Sequence, residues 1–399
     1  MATFPVTSEA DVLEVVRAAR ESSRTLEIVG HGTKRGFGRP VECEDVLDVS
    51  GLSGIVSYEP DEMIITARAG TPVAEIEATL AERNQRLGFE PADWGPLFGA
   101  PANFATIGGV LSADANGSAA VRYGRCRDHL LGFRAVNGFG EAYKGGGKVV
   151  KNVTGFDLPK LFCGALGTLG PVTEVTLRVF PKPSVTLVVA VTNVSRLAAL
   201  KLLRRVWCSP LEATGLSYVP KVSSAAFGEL GEIGAGAALV RLDGTDAALS
   251  EKIVMLRQLL EGSAVVELGC GDALFRKIAS AEIFAGLLQD LWLARQPPSS
   301  QGDYEDSERE AAHGDIWVSD WAGARVWKAN TPGLDATNWR ELMKPSGGSA
   351  QLVRASAETR NRVSPFAPED RVRAELTQRT KAAFDPLRLF NPGRMWEGV

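Results

Sequence analysis

The chain has 399 residues, 45% hydrophobic and 23% charged, with a net charge of −4 and 42 glycines as its one unusual count. That length accommodates two domains with separate cores, and the glycines follow no period, which excludes collagen-like and low-complexity chains. The interleaved charges exclude a nucleic-acid track, no apolar run reaches the roughly 18–20 residues of a membrane span, and the start MATFPVTSEADV lacks the regions of a secretory signal.

The segment SEADVLEVVRAARES, 8–22, spaces apolar residues at 12, 13, 16 and 19, which predicts a helix, and Ser8 with Asp11 forms a capping-box pattern. LEIVG then reads as a buried strand running into VGHGTKRGFG, and VLDVS, GIVSYEP and MIITARAG read as three further strands. Thr71 and Pro72 predict the N-cap and first position of a second helix reaching about Asn84. From 88 to 125 glycine, proline and small residues replace periodicity, a loop length that signals function or a wrong assignment. LLGFRAVNGFGEAYKGG predicts a hairpin around Asn137–Gly140, and VTEVTLRVF a half-buried strand.

After Pro181-Lys182-Pro183 the pattern changes to two successive strand–helix–strand units, a split βαβ arrangement of ferredoxin-like type. The expected domains are 1–183, 184–335 and a C-terminal segment 336–399 that returns to the first, with a helix near 368–383. The five cysteines, Cys43, Cys126, Cys163, Cys208 and Cys270, form no CxxC pair, which argues against a cluster, a zinc knuckle or a disulfide framework and for reduced thiols in a cytoplasmic protein.

Three glycine-rich stretches carry the candidate chemistry. VGHGTKRGFG, 29–38, can present successive backbone N–H groups to an anion, or be a tight turn that binds nothing. It is no Walker loop, because Lys34 precedes the later glycines with no hydroxyl after it, and it misses the third glycine of a dinucleotide fingerprint. TIGGVLSADANG, 106–117, joins a glycine pair to small residues that let backbone lie against a flat ligand, and 144–170 adds a third cluster ending GALGTLG.

With FDPLRLFNPGRM near the end, these stretches resemble the vanillyl-alcohol-oxidase/PCMH-type FAD-binding family over nearly all of 1–183 and again in the tail. Within it, LWLARQPPSS, DWAGARVW, SGGSAQLVRA and FNPGRM are similar to the FAD-binding E subunits of bacterial glycolate oxidase. The resemblance implies an α+β protein with a bipartite FAD-binding domain and a ferredoxin-like cap. It implies that Gly30, His31, Gly32, Thr33 and Lys34 wrap the FAD pyrophosphate with backbone N–H groups. Thr106, Gly108, Gly109 and Ala113, with Gly117 and Gly124 nearby, would line the isoalloxazine and ribityl side; Gly164, Thr168, Gly170 and Val172 would cover the ribityl and adenosine part. Asp157 is expected to tie its loop together. Relatives with covalent FAD carry a histidine after the second glycine; Thr33 stands there and His31 lies between the glycines, which implies non-covalent FAD.

Oxidation of a 2-hydroxy acid by a flavin needs a base, a cation for the carboxylate and positive potential beside the ring. His313, Gly314 and Asp315 echo a metal-binding HxGDGNxH motif but lack its second histidine, so no metal is expected. His129 reads as a structural histidine opening a strand. Arg241, Arg295, Arg325 and Arg354 lie on segments able to face the flavin, and Arg394 is the candidate catalytic residue. The expected function is the FAD subunit of a multi-subunit glycolate (2-hydroxy acid) oxidase or dehydrogenase, with glyoxylate as product. Its expected partners are a second FAD-binding subunit and an iron–sulfur subunit, and any membrane association comes through them. The alternatives are a flavin-holding structural subunit and a self-sufficient hydroxy-acid oxidase.

Overall fold

In the computed structural model, residues 1–147, 156–233, 235–260, 263–269, 271–287, 289–296, 316–330, 336–345 and 347–399 are described. Helix α1, Glu9–Ser22, starts where the sequence predicts it. Ser8 Oγ accepts from the Asp11 N–H at 3.2 Å and the Asp11 carboxylate accepts from the Ser8 N–H at 3.0 Å. A further bond from the Thr7 N–H leads the causes that hold the Asp11 carboxyl down to about 2. The helix ends at Ser23, whose φ of 52° breaks the helical path, and it buries Val12, Val16 and Ala19.

That buried face meets strands β1 (Ala2–Pro5), β2 (Leu26–Val29) and β3 (Asp45–Asp48), a parallel sheet of order β1-β3-β2. Leu26, Leu47, Val49, Leu52, Val136, Leu389 and Phe390 close the core around it. Full burial of each such side chain contributes roughly 1.5–3 kcal/mol. Phe390 adds a parallel bridge to Leu26, so the C-terminal segment extends this sheet beside β2.

Strands β4 (Ile55–Glu59) and β5 (Ile64–Arg68) precede helix α2, Val73–Ala81. Pro72 rather than Thr71 is its N-cap residue, and α2 stops before Asn84. Thr71 Oγ1 accepts from the Gly54 N–H and donates to the Arg68 carbonyl, so its hydroxyl is committed to a turn. A short strand β6 (Gln85–Arg86), helix α3 (Ile107–Ala113), β7 (Leu130–Val136), β8 (Ala142–Gly146), β9 (Val172–Arg178) and β10 (Phe180–Pro181) follow. An antiparallel sheet runs β4-β5-β9-β7-β8, and β6 pairs with β10. The β7–β8 hairpin closes where the sequence places it, with the Asn137 N–H bonded to the Glu141 carbonyl.

The chain divides into two compact units: 1–116, 124–182 and 357–399 form the first, and 117–123 with 183–356 the second. The change of character after Pro181 therefore coincides with a unit boundary. The expected C-terminal segment 336–399 does not return as a whole. Residues 336–356 stay in the second unit because β18 (Ser349–Arg354) pairs with β15 (Asp290–Arg295).

The second unit holds one eight-stranded sheet, β14-β11-β13-β12-β16-β17-β15-β18. Its first half comprises β11 (Val185–Thr192), β12 (Gly215–Val219), β13 (Ala237–Gly244) and β14 (Ala264–Leu268), with helices Arg196–Trp207 and Asp246–Leu259. This is the expected ferredoxin-like order. Strands β15, β16 (Trp317–Asp320), β17 (Arg325–Asn330) and β18 repeat that order, joined through Tyr218 and Ser319. No described helix is long and apolar enough to cross a membrane.

Candidate functional site

β2 points the chain into 30–38, and two tight turns, Arg35 N–H to Gly32 carbonyl and Phe37 N–H to Lys34 carbonyl, fold the segment back. Gly32 has φ +70°, a conformation that glycine adopts without strain. The N–H groups of Gly30, His31, Gly32, Thr33 and Lys34 donate to no protein acceptor among the described residues. All five residues line one cleft in the first unit. A row of free backbone donors on a concave wall suits an anion.

The second segment meets the first. A methyl group on Gly30 would lie 2.9 Å from Thr106 Oγ1, so the two loops touch. Thr106 caps α3 by accepting from the Gly109 N–H at 3.2 Å, and the Gly108 N–H donates to the Ala69 carbonyl at 2.8 Å. Gly108 is glycine because its Cα packs on that carbonyl. Helix α3 buries Ile107, Val110 and Leu111 and turns Gly108, Gly109, Ser112 and Ala113 to the cleft, one small-residue face at helical spacing. The third segment is tied to its end: the N–H groups of Gly164 and Leu166 donate to the carbonyls of Leu111 and Ser112, both at 3.0 Å. It brings Leu166, Gly167, Gly170 and Val172 to the cleft.

The cleft thus gathers Gly30, His31, Gly32, Thr33, Lys34, Thr106, Gly108, Gly109, Ala113, Gly170, Val172 and Arg394 of the expected set. Four expected residues do not line it. Gly117 lies in the second unit and its carbonyl accepts from Trp321 Nε1. Gly124 packs on the Asp128 side chain, and Gly164 is committed to the α3 junction. Thr168 is buried, its hydroxyl donating to the Ala165 carbonyl at 2.8 Å. Sequence reasoning missed Ala69, Ser112, Leu166, Gly167 and Asn391. Ser112 was within reach, since it follows Gly108 by one helical turn.

Arg394 is not placed as a substrate-binding cation. Its Nη2 donates to the carbonyls of Lys34 at 3.3 Å and Arg35 at 2.9 Å, while Nη1 lies 3.6 Å from Glu27. Burial pushes its guanidinium down, with Glu27 opposing. The residue braces the donor-bearing loop through its carbonyls. Asn391 acts alongside it, accepting from the Ile28 N–H and donating to the Leu166 carbonyl, so one side chain joins the first and third segments. Below them Lys381, almost wholly buried, donates to the carbonyls of Thr168 and Phe390 and to Asp385.

The other candidates are committed elsewhere. Arg241 donates to the Thr214 carbonyl and lies over Phe275, Arg325 pairs with the buried Asp320 at 2.5 Å, and Arg354 donates to the Leu287 carbonyl. Arg295 sits opposite Arg325 in the β15–β17 register. His129 closes the short helix Cys126–His129 instead of opening a strand, buried against Phe89 and Phe180. Asp157 pairs with Lys160 at 2.8 Å, a local tie as expected. His31 Nδ1 lies 2.8 Å from the Phe104 carbonyl, which fixes its ring at the cleft mouth. His313, Gly314, Asp315 and Cys270 lie outside the described residues, as do 148–155 of the third glycine stretch.

Residues 2–146 match the FAD binding domain family. The chain is 31% identical over 386 residues to glycolate oxidase subunit GlcE of Escherichia coli K12, covering 96% of each. A stretch of it also resembles D-lactate dehydrogenase of Anaerostipes hadrus, 31% identical over 180 residues, 44% of this chain and 36% of that one. Among solved structures, p-cresol methylhydroxylase with substrate bound shares the fold, with a TM-score of 0.75, 15% identity, and coverage of 99% of this chain and 88% of that one.

Proposed function

The chain belongs to the GlcE family of FAD-dependent oxidoreductases, and from that premise we propose that it is the flavin subunit of a complex that oxidises glycolate, or a similarly small 2-hydroxy acid, to the 2-oxo acid and passes the electrons to partner subunits. The observation that carries the cofactor part is the row of five N–H groups from Gly30 to Lys34, donors without protein acceptors on a cleft wall. They suit the diphosphate of FAD. The small face of α3, where any Cβ larger than alanine's would protrude, suits the flat ring system. Bound there without a covalent link, FAD supplies the acceptor for a hydride and its two electrons. The protein's part is to hold it: the first segment by backbone donors, α3 by shape, and Arg394 and Asn391 by fixing the loops through their carbonyls.

The hydroxy-acid reading draws on the GlcE resemblance along 96% of the chain and on the D-lactate dehydrogenase resemblance over 44% of it. Partner subunits enter because GlcE is named as a subunit of glycolate oxidase. An iron–sulfur subunit and a second FAD-binding subunit are the partners expected. Anaerobic addition of glycolate tests this. The flavin band of the chain assembled with its partners bleaches, whereas no bleaching in that assembly overturns the substrate assignment. Bleaching of the chain by itself would favour a self-sufficient oxidase.

A further inference from the structure

We propose that the Lys34 side chain is the counter-charge for the cofactor's diphosphate, so that the cleft selects a dinucleotide over an uncharged flavin; the inference rests on the FAD reading above. Four side chains able to carry positive charge line the cleft, and three are committed. Arg35 forms a two-pronged pair with Glu27, Arg394 holds two loop carbonyls and faces the same Glu27, and His31 is bonded to the Phe104 carbonyl. Lys34 has a single hydrogen bond among the described residues, 3.3 Å to the hydroxyl of Thr33. An ammonium carries three donors, so two remain.

Position strengthens the argument. Lys34 is the last residue of the free N–H row, and its carbonyl is fixed by Arg394, so the root of the side chain is held. Its Nζ lies 3.9 Å from where a methyl on Gly109 would stand, at the meeting of the first and second segments. An anion taken up by the row therefore neighbours an uncompensated ammonium. A charge-assisted bond there is stronger than the neutral N–H bonds beside it.

The charge is conditional. Burial pushes the Lys34 ammonium down to about 8, and only Asp93 opposes. The Asp93 oxygens are occupied by the N–H groups of Gly95 and Asn103. The other ionisable groups on the cleft, Glu27, Arg35, Arg394 and His31, have the partners given above. A bound diphosphate favours the protonated lysine, so binding takes up a proton above pH 8 and affinity falls as pH rises. With a free-site value of about 8, the loss between pH 7 and 9 is about tenfold.

The test is titration of the flavin-depleted chain with three probes: FAD, ADP-ribose (the diphosphate without flavin) and riboflavin (the flavin without phosphate). Lys34→Gln is expected to weaken FAD and ADP-ribose by roughly ten- to a hundred-fold at pH 7 and to leave riboflavin unchanged. Lys34→Arg is expected to bind FAD at pH 7 but to lose the decline up to pH 9, which keeps the test decisive if the Gln variant folds poorly. FAD and ADP-ribose affinities within twofold of the parent in Lys34→Gln, or an equal loss for riboflavin, overturn the assignment. A parent chain that binds no FAD at any pH overturns the dinucleotide reading itself.

Discussion

Replacing Lys381 by methionine removes the cation of a buried pair whose anion, Asp385, is fully enclosed. Lys381 Nζ makes three hydrogen bonds, to Thr168 O at 2.6 Å, Asp385 Oδ2 at 2.8 Å and Phe390 O at 2.9 Å. Three bonds at about 1 kcal/mol each sum to about 3 kcal/mol. Stranding one charge of a buried pair costs about 3–5 kcal/mol by the independent route. The two agree, and the loss is a large part of the roughly 5–15 kcal/mol that a domain has. Asp385 keeps bonds from the N–H groups of Leu389 and Phe390, so Asp385→Asn in the same chain removes the stranded charge while keeping an acceptor. Urea unfolding followed by tryptophan fluorescence should show Lys381→Met weakened by about 3–5 kcal/mol and the double variant at least about 1 kcal/mol less damaged than the sum of the singles. Additive losses, or a single-variant loss below about 1 kcal/mol, would refute the view that this pair anchors the tail.

Two further outcomes follow from the cleft. Gly109→Val fills the open face of α3 and should lower flavin content of the purified chain at least about tenfold with an unchanged circular-dichroism spectrum; full flavin content would place the ring elsewhere. Acid precipitation should release the yellow cofactor into the supernatant, because Thr33 occupies the place of the linking histidine, and colour kept in the pellet would show a covalent bond.

Much of the first unit was legible because its signals are local. The α1 capping box, the β7–β8 hairpin and the β9 strand each carry their own cue, although β9, paired on both edges, is largely buried rather than half-buried. The glycine segments were legible in the sequence, the second of them folding as α3, but a glycine does not announce what it avoids. Gly109 opens toward the cleft, whereas its neighbour Gly108 avoids the Ala69 carbonyl, a contact between residues far apart in sequence. Gly117 and Thr168 misled for the same reason. Arg394 was expected as the catalytic residue, yet it bonds to loop carbonyls through a burial that no motif encodes. The repeated strand order of β15–β18 escaped notice because β18 lies within a segment that otherwise reads as tail.

The brace between Arg394 and Lys34 spans 360 positions, which has a consequence for biogenesis. At roughly 5–20 residues per second, the ribosome exposes the donor row some 20–70 s before the supporting guanidinium exists. A nascent polypeptide halted short of Lys381 carries all the cleft-lining glycines without the Asn391 and Arg394 bonds that hold their loops. Prosthetic-group capture is therefore expected to need translation past residue 394, and the visible absorbance of products truncated before it checks this.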